Sequence, residues 1–379
     1  MPAIQLFEDT TSAALHPFHL IEGVAGVRFG AFTQAERWGL IIDAIPESSG
    51  ATGGPVLVNA RWVPGQGAAE MIGRLEDGDS LVDDGVVLAK RGNMVHGQGK
   101  AWAPDAKQEV LSHANELFAK LGEAILKDAS LAASEWNLAP WGGSGATAVY
   151  GDAGAFLVSP LAQMRAASVD TESGPVLIAR GAHVEPGAHI KGPVIICEGA
   201  TIRMGARILG PTVIGPHCKV GGEISNVNFQ GWANKAHDGF LGNSVVGRWC
   251  NLGAGTESSN LKNTYGEVRQ WDATQGALSG TGLQFCGLLM GDHSKCGIGT
   301  TFNTGTVVDP GCVIFDAGFP PKHLPPFSWY NARTEAMAIQ SIDRMLSTAE
   351  KVMARRGETL SEDHRAKLTR LHAERQAAD

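Results

Sequence analysis

The stretch from Ile178 to Val220 reads IARGAHVEPGAHIKGPVIICEGATIRMGARILGPTVIGPHCKV and repeats every six residues. An aliphatic residue stands at every sixth position: Ile178, Val184, Ile190, Ile196, Ile202, Ile208, Ile214 and Val220. Glycine or proline often follows three residues later, and both favour sharp bends. The repeat predicts a short strand and a corner, with the aliphatic residue pointing inward. Stacked units of this kind form a parallel β-helix, whose coils lie roughly 4.8 Å apart.

The six-residue phase is interrupted in the second half of this region. It fails at Asn226, and its inward positions return at Phe240, Val246, Leu252, Met290, Cys296, Phe302, Val308 and Ile314. A polar, glycine-rich excursion around residues 256–282 separates the two runs. A solenoid tolerates such an insertion because each coil contacts only its neighbours. The alternative, a β-sandwich, is disfavoured because sandwich strands alternate with a period of two.

Composition and charge narrow the class of protein. The chain has 379 residues, 43% of them hydrophobic and 18% charged, which is typical of two or three globular domains. The net charge of −8 and the lack of a Lys/Arg run argue against nucleic acid or an anionic membrane as partner. No signal peptide or long apolar stretch is visible. Six cysteines without a Cys-x-x-Cys pair predict reduced, packed thiols and a cytoplasmic protein.

Three domains are predicted. Residues 1–165 carry no six-residue repeat, and their mixed strand and helix patterns indicate an α/β domain, with an amphipathic helix over Gln108–Lys127. Residues 166–330 form the β-helix, which a proline-rich segment ends. Residues 331–379 form a helical hairpin. Its first helix is predicted over Arg333–Arg356, and a capping box of Thr359 and Glu362 begins the second. The tail needs a partner surface, either the β-helix or a neighbouring subunit.

A polar cluster lies where the repeat falters. Most single histidines here are read as exposed decoration, but His237 stands beside Lys235 and Asp238. It also lies about one coil, roughly eighteen residues, before the small segment Gly253–Gly255. Because residues one coil apart stack on the same face, His237 and Ala254 are expected to be neighbours. A base beside open backbone N–H groups is the arrangement that acyl transfer needs.

Several strings in this region resemble one enzyme family. They are Asn-Lys-Ala-His-Asp-Gly-Phe at 234–240, Trp-Cys-Asn-Leu-Gly-Ala at 249–254, Ser-Asn-Leu-Lys-Asn at 259–263, and residues 281–287 and 290–295. The chain resembles the GlmU-like family, the bacterial bifunctional N-acetylglucosamine-1-phosphate uridyltransferases/glucosamine-1-phosphate acetyltransferases, and especially a shortened sugar nucleotidyltransferase branch of it. The strong match covers residues 174–329, and a weaker one covers parts of the N-terminal domain.

The resemblance implies a left-handed parallel β-helix, a homotrimer with active sites between subunits, and acetyl-CoA as cosubstrate. It places His237 on the catalytic base and Asn251 on a residue that binds the amino sugar. It further implies that Asn260 positions the acetyl group and that Ala254 offers a backbone N–H to the thioester. The amine of the acceptor would then attack the thioester directly.

The sequence departs from the family at three points. Phe240 stands where the bifunctional enzymes have a tyrosine on the acceptor, and the basic pair for the sugar phosphate is not clearly matched, although Lys235 or Arg207 could substitute. The family's Gly-x-Gly-Thr-Arg loop is missing after the first predicted strand, where the chain reads Glu-Asp-Thr-Thr-Ser at 8–12. Asp292 and His293 could form a second polar site or be surface decoration.

Three functions follow from these observations. The leading hypothesis is an acetyl-CoA-dependent N-acetyltransferase acting on an amino sugar phosphate, of the glucosamine-1-phosphate type, in nucleotide-sugar or cell-envelope biosynthesis. The second is a sugar-1-phosphate nucleotidyltransferase that works through the N-terminal domain, and only this one implies Mg²⁺. The third is a non-catalytic trimer that binds a sugar nucleotide or a partner protein.

Overall fold

The chain folds into two compact units. The structure is a computed structural model and describes residues 4–43, 55–65, 67–92, 99–143, 146–316 and 318–378. The first unit comprises residues 1–27 and 32–113, and the second comprises residues 28–31 and 114–379. The first unit therefore ends well before residue 165, because the helices Glu116–Ala119 and Leu121–Glu135 and the β-helix strands Ala148–Tyr150, Phe156–Val158 and Gln163–Met164 already belong to the second.

The first unit is built on a five-stranded mixed sheet. Its strand order is Ile4–Phe7, Val56–Asn59, Val86–Arg91, Ser80–Asp83 and Ala101–Trp102. The helices of this unit are Thr10–Leu15 (3-10), His19–Glu22, Val24–Gly26 (3-10), Gln34–Asp43 and Ala68–Gly73. The indole rings of Trp38 and Trp62 meet at 4.9 Å between centroids in its core. The predicted α/β domain is confirmed.

The predicted helix over Gln108–Lys127 is wrong at its start. Glu109–Val110 is a strand paired antiparallel with Trp62–Val63, and helices follow at Glu116–Ala119 and Leu121–Glu135. The early apolar residues of the stripe are buried by strand pairing, whereas the later ones are buried on the helix. A loose apolar stripe cannot distinguish these two modes of burial.

The second unit is a parallel β-helix with three faces. The first face contains Phe156–Val158, Val176–Ile178, Val194–Ile196, Thr212–Ile214, Leu288–Met290, Thr306–Val308 and His323–Leu324. The second contains Gln163–Met164, His183–Val184, Thr201–Ile202, Lys219–Val220, Asn234–Lys235, Asn251–Leu252, Lys295–Cys296, Val313–Phe315 and Ser328–Asn331. The third contains Ala148–Tyr150, Ser168–Asp170, His189–Lys191 and Arg207–Leu209, with Glu257–Ser258 pairing Thr301–Phe302 further along. Glu223–Phe229 and Phe240–Val246 run across the corner between the first and third faces.

The eight aliphatic positions of the repeat form the core of this β-helix. Ile178 pairs with Ile196 and Ile196 with Ile214, so equivalent residues lie eighteen positions apart. All eight side chains are at most 2% exposed, and burying each contributes about 1.5–3 kcal/mol. The predicted fold class, mainly β with a β-helix between an α/β region and a helical tail, is confirmed.

One short coil explains why the repeat fails. The residue in register with Val220 is Lys235, fifteen positions on rather than eighteen. Ile224 is then paired with Leu241, which is fully buried, and Phe240 is only half-buried. The expectation that Phe240 points inward is therefore wrong, because the inward positions after the fifteen-residue coil are Lys235 and Leu241, and Phe240 lies just before the second of them.

The excursion and the tail complete the unit. The excursion contains a hairpin of Arg269–Asp272 and Ala277–Gly280. The predicted helix over Arg333–Arg356 is wrong at its start: Ala336–Ile339 is a strand that pairs antiparallel with Ser328–Asn331, and the helix is Ile342–Ala354. The last helix, Glu362–Ala377, is capped by the hydroxyl of Ser361 and not by Thr359, because Ser361 accepts the His364 amide.

The tail packs on the β-helix of its own chain. The side chains of His364 and His293 meet at 2.9 Å, and the Arg356 guanidinium donates to the His217 carbonyl. All six cysteines are buried and free, as predicted. Of the helices in the described ranges, none is long and apolar enough to cross a membrane.

Candidate functional site

His237 lies on the corner that follows the inner strand Asn234–Lys235. Residues 236–239 form this corner, and the strand Phe240–Val246 begins directly after it. The corner is tied to its neighbours through the backbone. The Gly255 amide donates to the Asp238 carbonyl at 3.1 Å, and the Glu223 amide donates to the Gly239 carbonyl at 3.2 Å. The sequence prediction that His237 and the Gly253–Gly255 segment are neighbours is thus confirmed.

The corner borders a cleft of about 330 Å³. Its lining residues are Arg203, Met204, Gly221, Gly222, Ala236, His237, Asp238, Ala254 and Gly255. The His237 side chain is exposed, and its ring makes no hydrogen bond to any residue in the described ranges. The Ala254 amide likewise donates to no described group, although the Ala254 carbonyl accepts from Gly299 at 2.8 Å. The cleft therefore presents an unused base and an unused N–H donor.

A glycine keeps this corner in shape. Gly222 has a φ of +79°, and a Cβ there would lie 2.6 Å from the Gly239 carbonyl oxygen. Any larger residue would be strained in conformation and would push the histidine corner away. The close approach of the backbone at Gly222 to the backbone at Gly239 thus requires glycine at position 222.

Lys235 lies beneath the corner and not in the cleft. Its side chain is 1% exposed, and its ammonium donates to the carbonyls of His237 at 2.8 Å and Asp238 at 3.3 Å. Burial lowers the pKa of this ammonium, and the carboxylates of Glu257 and Asp238 partly oppose that effect. In this structure the lysine ammonium bonds to backbone carbonyls and to no other group described. Its role toward the acceptor stays a prediction.

The cleft also contains a cation that the sequence reading overlooks. Arg203 lines it and pairs with Glu185 at 2.5 Å. Arg356, together with burial and Arg203, lowers the pKa of Lys219 nearby, which marks a concentration of positive charge. Arg203 stands eighteen residues before Gly221, so the coil length could have placed it at this corner. Arg207, the candidate named from sequence, lies on the third face and pairs with Glu223 at 3.2 Å.

Phe240 and Asn260 lie together, but they do not line the cleft. A Cβ on Gly242 would lie 2.5 Å from the Phe240 ring and 2.8 Å from the Asn260 amide nitrogen, so the two side chains approach each other over this glycine. The Asn260 amide donates to Asn243 Oδ1 at 2.7 Å. These two predicted residues form a second group, next along the strand from His237.

Asn251 belongs to a third group, on the outer side of the second face. It is exposed and accepts from the Asn234 amide at 3.3 Å, and Asn234 in turn accepts from Arg356 at 2.9 Å. The structure of one chain thus brings His237 and Ala254 together, and it keeps Asn251 and Asn260 on other surfaces.

The two acidic residues that follow the first strand, Glu8 and Asp9, both accept hydrogen bonds within the protein. Asp9 accepts from Arg61 at 2.9 and 2.6 Å, from Asn59 at 2.8 Å and from the Thr11 amide at 3.0 Å. Burial raises the pKa of the Asp9 carboxyl, but the hydrogen bonds from Arg61 and Asn59 outweigh it, and the net shift is downward. Glu8 accepts the Val24 amide at 2.8 Å. The sequence also contains a glycine-rich segment at residues 141–145, which is interpreted as a loop before the first coils in preference to a phosphate-binding loop, and its Ser144 and Gly145 lie outside the described residues.

Asp292 and His293 are neither a surface decoration nor an open site. Both side chains are at most 5% exposed. His293 ends a column of rings at one corner of the β-helix, with Trp232 and Trp249 stacked at 5.3 Å between centroids and Trp249 and His293 at 6.4 Å. Asp292 accepts the Arg248 amide at 2.7 Å. The cluster therefore holds the coils and the tail together.

Comparisons with known proteins add to this picture. Residues 4–136 match a family described as sugar nucleotidyl transferase. No curated protein matches the chain. Among solved structures, the chain is similar to UDP-N-acetylglucosamine acyltransferase from Campylobacter jejuni, with 15% identity over 56% of this chain and 82% of that chain and a TM-score of 0.19. At that TM-score the likeness carries no argument, and the β-helix rests on strand register alone.

The family match points to a transferase related to sugar nucleotides. The similarity to sugar nucleotidyl transferases covers residues 4–136, about a third of the chain, and it agrees with the resemblance to GlmU-like enzymes seen in the sequence.

Proposed function

We propose that the chain is an acetyl-CoA-dependent N-acetyltransferase acting on an amino sugar phosphate of the glucosamine-1-phosphate type, in nucleotide-sugar or cell-envelope biosynthesis. One observation carries the proposal: His237 and Ala254 line the same cleft, and within the part of the chain that the structure describes neither the exposed His237 ring nor the Ala254 amide has a hydrogen-bond partner. A general base and a free N–H donor at one place are the two groups that aminolysis of a thioester requires.

In the proposed reaction His237 accepts a proton from the acceptor amine. The amine nitrogen then attacks the thioester carbonyl carbon, and the Ala254 amide donates to the oxygen on which negative charge develops. The C–N bond forms, the C–S bond breaks, and coenzyme A leaves as a thiol after taking up a proton. The chain contributes mainly placement and proton transfer, so no covalent intermediate with the protein is needed.

The charge of the cleft suits a phosphorylated acceptor. Arg203 lines the cleft together with Asp238, and Lys219 lies close enough to Arg203 and Arg356 for both to lower its pKa. The planar Arg203 guanidinium can donate two hydrogen bonds to phosphate oxygens, although it already pairs with Glu185. Phe240 offers an apolar ring without the hydroxyl that a tyrosine would bring. We therefore expect the acceptor to be held more through its phosphate than through that position.

A homotrimer would complete the site. Asn251 and Asn260, which the resemblance places on the acceptor and the acetyl group, lie on other surfaces than His237 within one chain. Met204, on the cleft, and Ile298 are 71% and 80% exposed, which favours burial against a second copy. We propose that neighbouring subunits bring these groups together. Six free, buried cysteines favour the cytoplasm as compartment, and we propose no nucleic-acid or membrane partner.

The test measures thiol release from acetyl-CoA with glucosamine-1-phosphate as acceptor. Wild type, His237→Ala and the control His189→Ala are compared, since His189 is another exposed histidine of the β-helix, bonded to Ser168 at 2.6 Å. Release by wild type and the control, but not by His237→Ala, supports the proposal. Absence of release across a panel of amino sugar phosphates would refute it for those acceptors.

A second candidate function is favoured by the family match of residues 4–136: sugar-1-phosphate nucleotidyl transfer. Such a reaction would need Mg²⁺. The acidic residues after the first strand do not fit a metal ion, because Arg61 and Asn59 donate to the Asp9 carboxylate and the Val24 amide donates to Glu8. Pyrophosphate release from UTP and N-acetylglucosamine-1-phosphate, lost in Asp9→Asn, would establish this function instead.

A third outcome remains distinct from both reactions. If neither product forms and calorimetry shows that the intact protein binds UDP-N-acetylglucosamine, the chain is a non-catalytic sugar-nucleotide-binding module.

A further inference from the structure

Lys235 occupies a position where the other coils carry apolar side chains. It stands in register with Val220 on the preceding coil, while its neighbour Asn234 pairs with Asn251 on the next. Because successive side chains of a strand point to opposite faces, Lys235 points into the β-helix as Val220 does. Its 1% exposure agrees with this direction. The charged end of a lysine side chain is thus inserted into a column whose neighbouring members, Val220, Leu252 and Cys296, carry no charged group.

Such a placement is costly unless the ammonium finds partners. Removing a charge from water is unfavourable, and an aliphatic residue at this position would fill the column without that cost. The ammonium is satisfied by two carbonyl oxygens, of His237 at 2.8 Å and of Asp238 at 3.3 Å. Among the described residues, Lys235 is the recorded donor to the His237 carbonyl. Both hydrogen bonds of the lysine ammonium therefore go to one short backbone segment, residues 237–238.

That piece of backbone is the corner that carries the candidate base. The far end of the corner is held by another charged side chain, since the Phe240 amide donates to Glu257 at 2.6 Å. The His237 ring itself touches no described polar group. The point from which the ring projects is therefore set by this backbone, which Lys235 holds from inside through the His237 carbonyl and Glu257 holds at the end of the corner through the Phe240 amide.

We infer that Lys235 is a positioning residue for His237: its buried ammonium fixes the carbonyls of the corner and so holds the imidazole in the cleft. The inference rests on the proposed acetyl transfer for its catalytic consequence, but not for its structural content. It also assigns Lys235 a task different from contact with the acceptor.

The decisive measurement is the NMR signal of the His237 ring. The chain contains twelve histidines, so ring-labelled histidine gives a small set of signals, and His237→Gln identifies the one that matters. Lys235→Met keeps an unbranched apolar stem and removes the ammonium. Lys322→Met is the matched control, because the Lys322 ammonium also bonds a corner carbonyl, that of Thr304, on another coil.

We expect the His237 signal to shift or broaden in Lys235→Met and to remain unchanged in Lys322→Met. A His237 signal that is identical in wild type and Lys235→Met would overturn the inference, whatever the enzyme activity. If Lys235→Met does not fold, Lys235→Gln provides a neutral donor at the same site, and a smaller shift in the same signal is expected.

Kinetics separate positioning from general destabilisation. With wild type active, Lys235→Met should lower kcat for acetyl transfer by about 10- to 100-fold, because small misplacements of reacting groups cost that much, with KM for acetyl-CoA within about twofold. Lys322→Met should retain its kcat even where its melting temperature falls equally. Equal losses of kcat in both variants would show that Lys235 only stabilises the fold and does not position His237. If wild type transfers no acetyl group, the proposed function fails, and the NMR result still decides the role of Lys235.

Discussion

Two corners of the β-helix carry a histidine whose carbonyl accepts from a lysine, and their rings have opposite surroundings. Lys235 donates to the His237 carbonyl at 2.8 Å, and Lys295 donates to the His293 carbonyl at 2.8 Å. The His237 ring is exposed and touches no described polar group, whereas the His293 ring is 1% exposed and meets His364 at 2.9 Å.

The difference shows that a similar backbone anchor serves two purposes. At His293 the ring is stacked on Trp249, and its Nε2 meets His364, so the ring holds the tail against the coils. At His237 only the backbone is held, so the ring keeps its capacity to accept a proton. Asp9 resembles His293 in this respect, because its oxygens are engaged by Arg61 and Asn59. A candidate catalytic group is therefore recognised by reactive atoms that make no hydrogen bond within the protein.

The largest expected effect is on catalysis at the open corner. His237→Ala should lower the acetyl-transfer rate by about 10²- to 10⁴-fold, the usual loss when a general base is removed. Its free energy of unfolding should change by less than about 0.5 kcal/mol, because the ring is exposed and unpaired. Initial-rate assays and urea denaturation of the same preparations check both values. A large fall in stability would show that the two corners are alike.

The next largest effect is on stability at the closed corner. His293→Asn should destabilise the protein by about 2–3 kcal/mol, since it removes a buried ring stacked on Trp249 and paired with His364. Asparagine tolerates the φ of +62° at this position, so the loss reports the ring and not the backbone. Thermal unfolding measures it, and acetyl transfer below the melting temperature should be retained.

The closed corner should also make stability depend on pH. Burial lowers the pKa of His293 well below its usual range, and Lys295 and His364 lower it further. The folded protein then keeps this ring neutral while the unfolded chain binds a proton below about pH 6.5. Stability should therefore fall as pH drops below about 6.5, by up to about 1.4 kcal/mol per pH unit. Melting temperatures of wild type and His293→Asn between pH 7.5 and 5.5 test this, and equal slopes would contradict it.

The smallest effect concerns the first unit. Asp9→Asn removes an ion pair with Arg61, whose side chain is 2% exposed, while the Asp9 side chain is 25% exposed. A loss of about 1 kcal/mol is expected after allowance for solvent screening. Asp84→Asn is the control, because the Asp84–Lys107 pair is 85% and 82% exposed and should contribute nothing measurable. Unfolding curves compare the two, and unchanged acetyl transfer in both would separate this unit from the proposed reaction.

The sequence predicts the column of the β-helix well, and the reason is physical. Every six-residue step carries the same inward direction, so Ile178 to Val220 determine register without any long-range information. The constant length of a coil also predicts that His237 and Ala254 are neighbours, because they lie about one coil apart in the sequence.

The remaining details depend on contacts that a local pattern does not contain. A coil shortened to fifteen residues turns Lys235 inward and Phe240 outward, and no residue type announces the shortening. The apolar stripe at Ala336–Ile339 fits a helix equally well, and the free edge of Ser328–Asn331 decides for a strand. Asn251 and Asn260 lie on other surfaces of the β-helix than His237. The coil length predicts which residues stack on one surface, but it does not predict how two different surfaces are arranged.

The buried cysteines have a practical consequence for detecting coenzyme A. Burial raises the pKa of the Cys218 and Cys286 thiols to about 12, and it also raises that of Cys250, Cys296 and Cys312. Disulfide exchange proceeds through the thiolate, so these groups react slowly with a chromogenic disulfide while the fold is intact. The native protein should therefore be nearly colourless in such an assay, and a sudden rise in absorbance without substrate would signal unfolding before any product had formed.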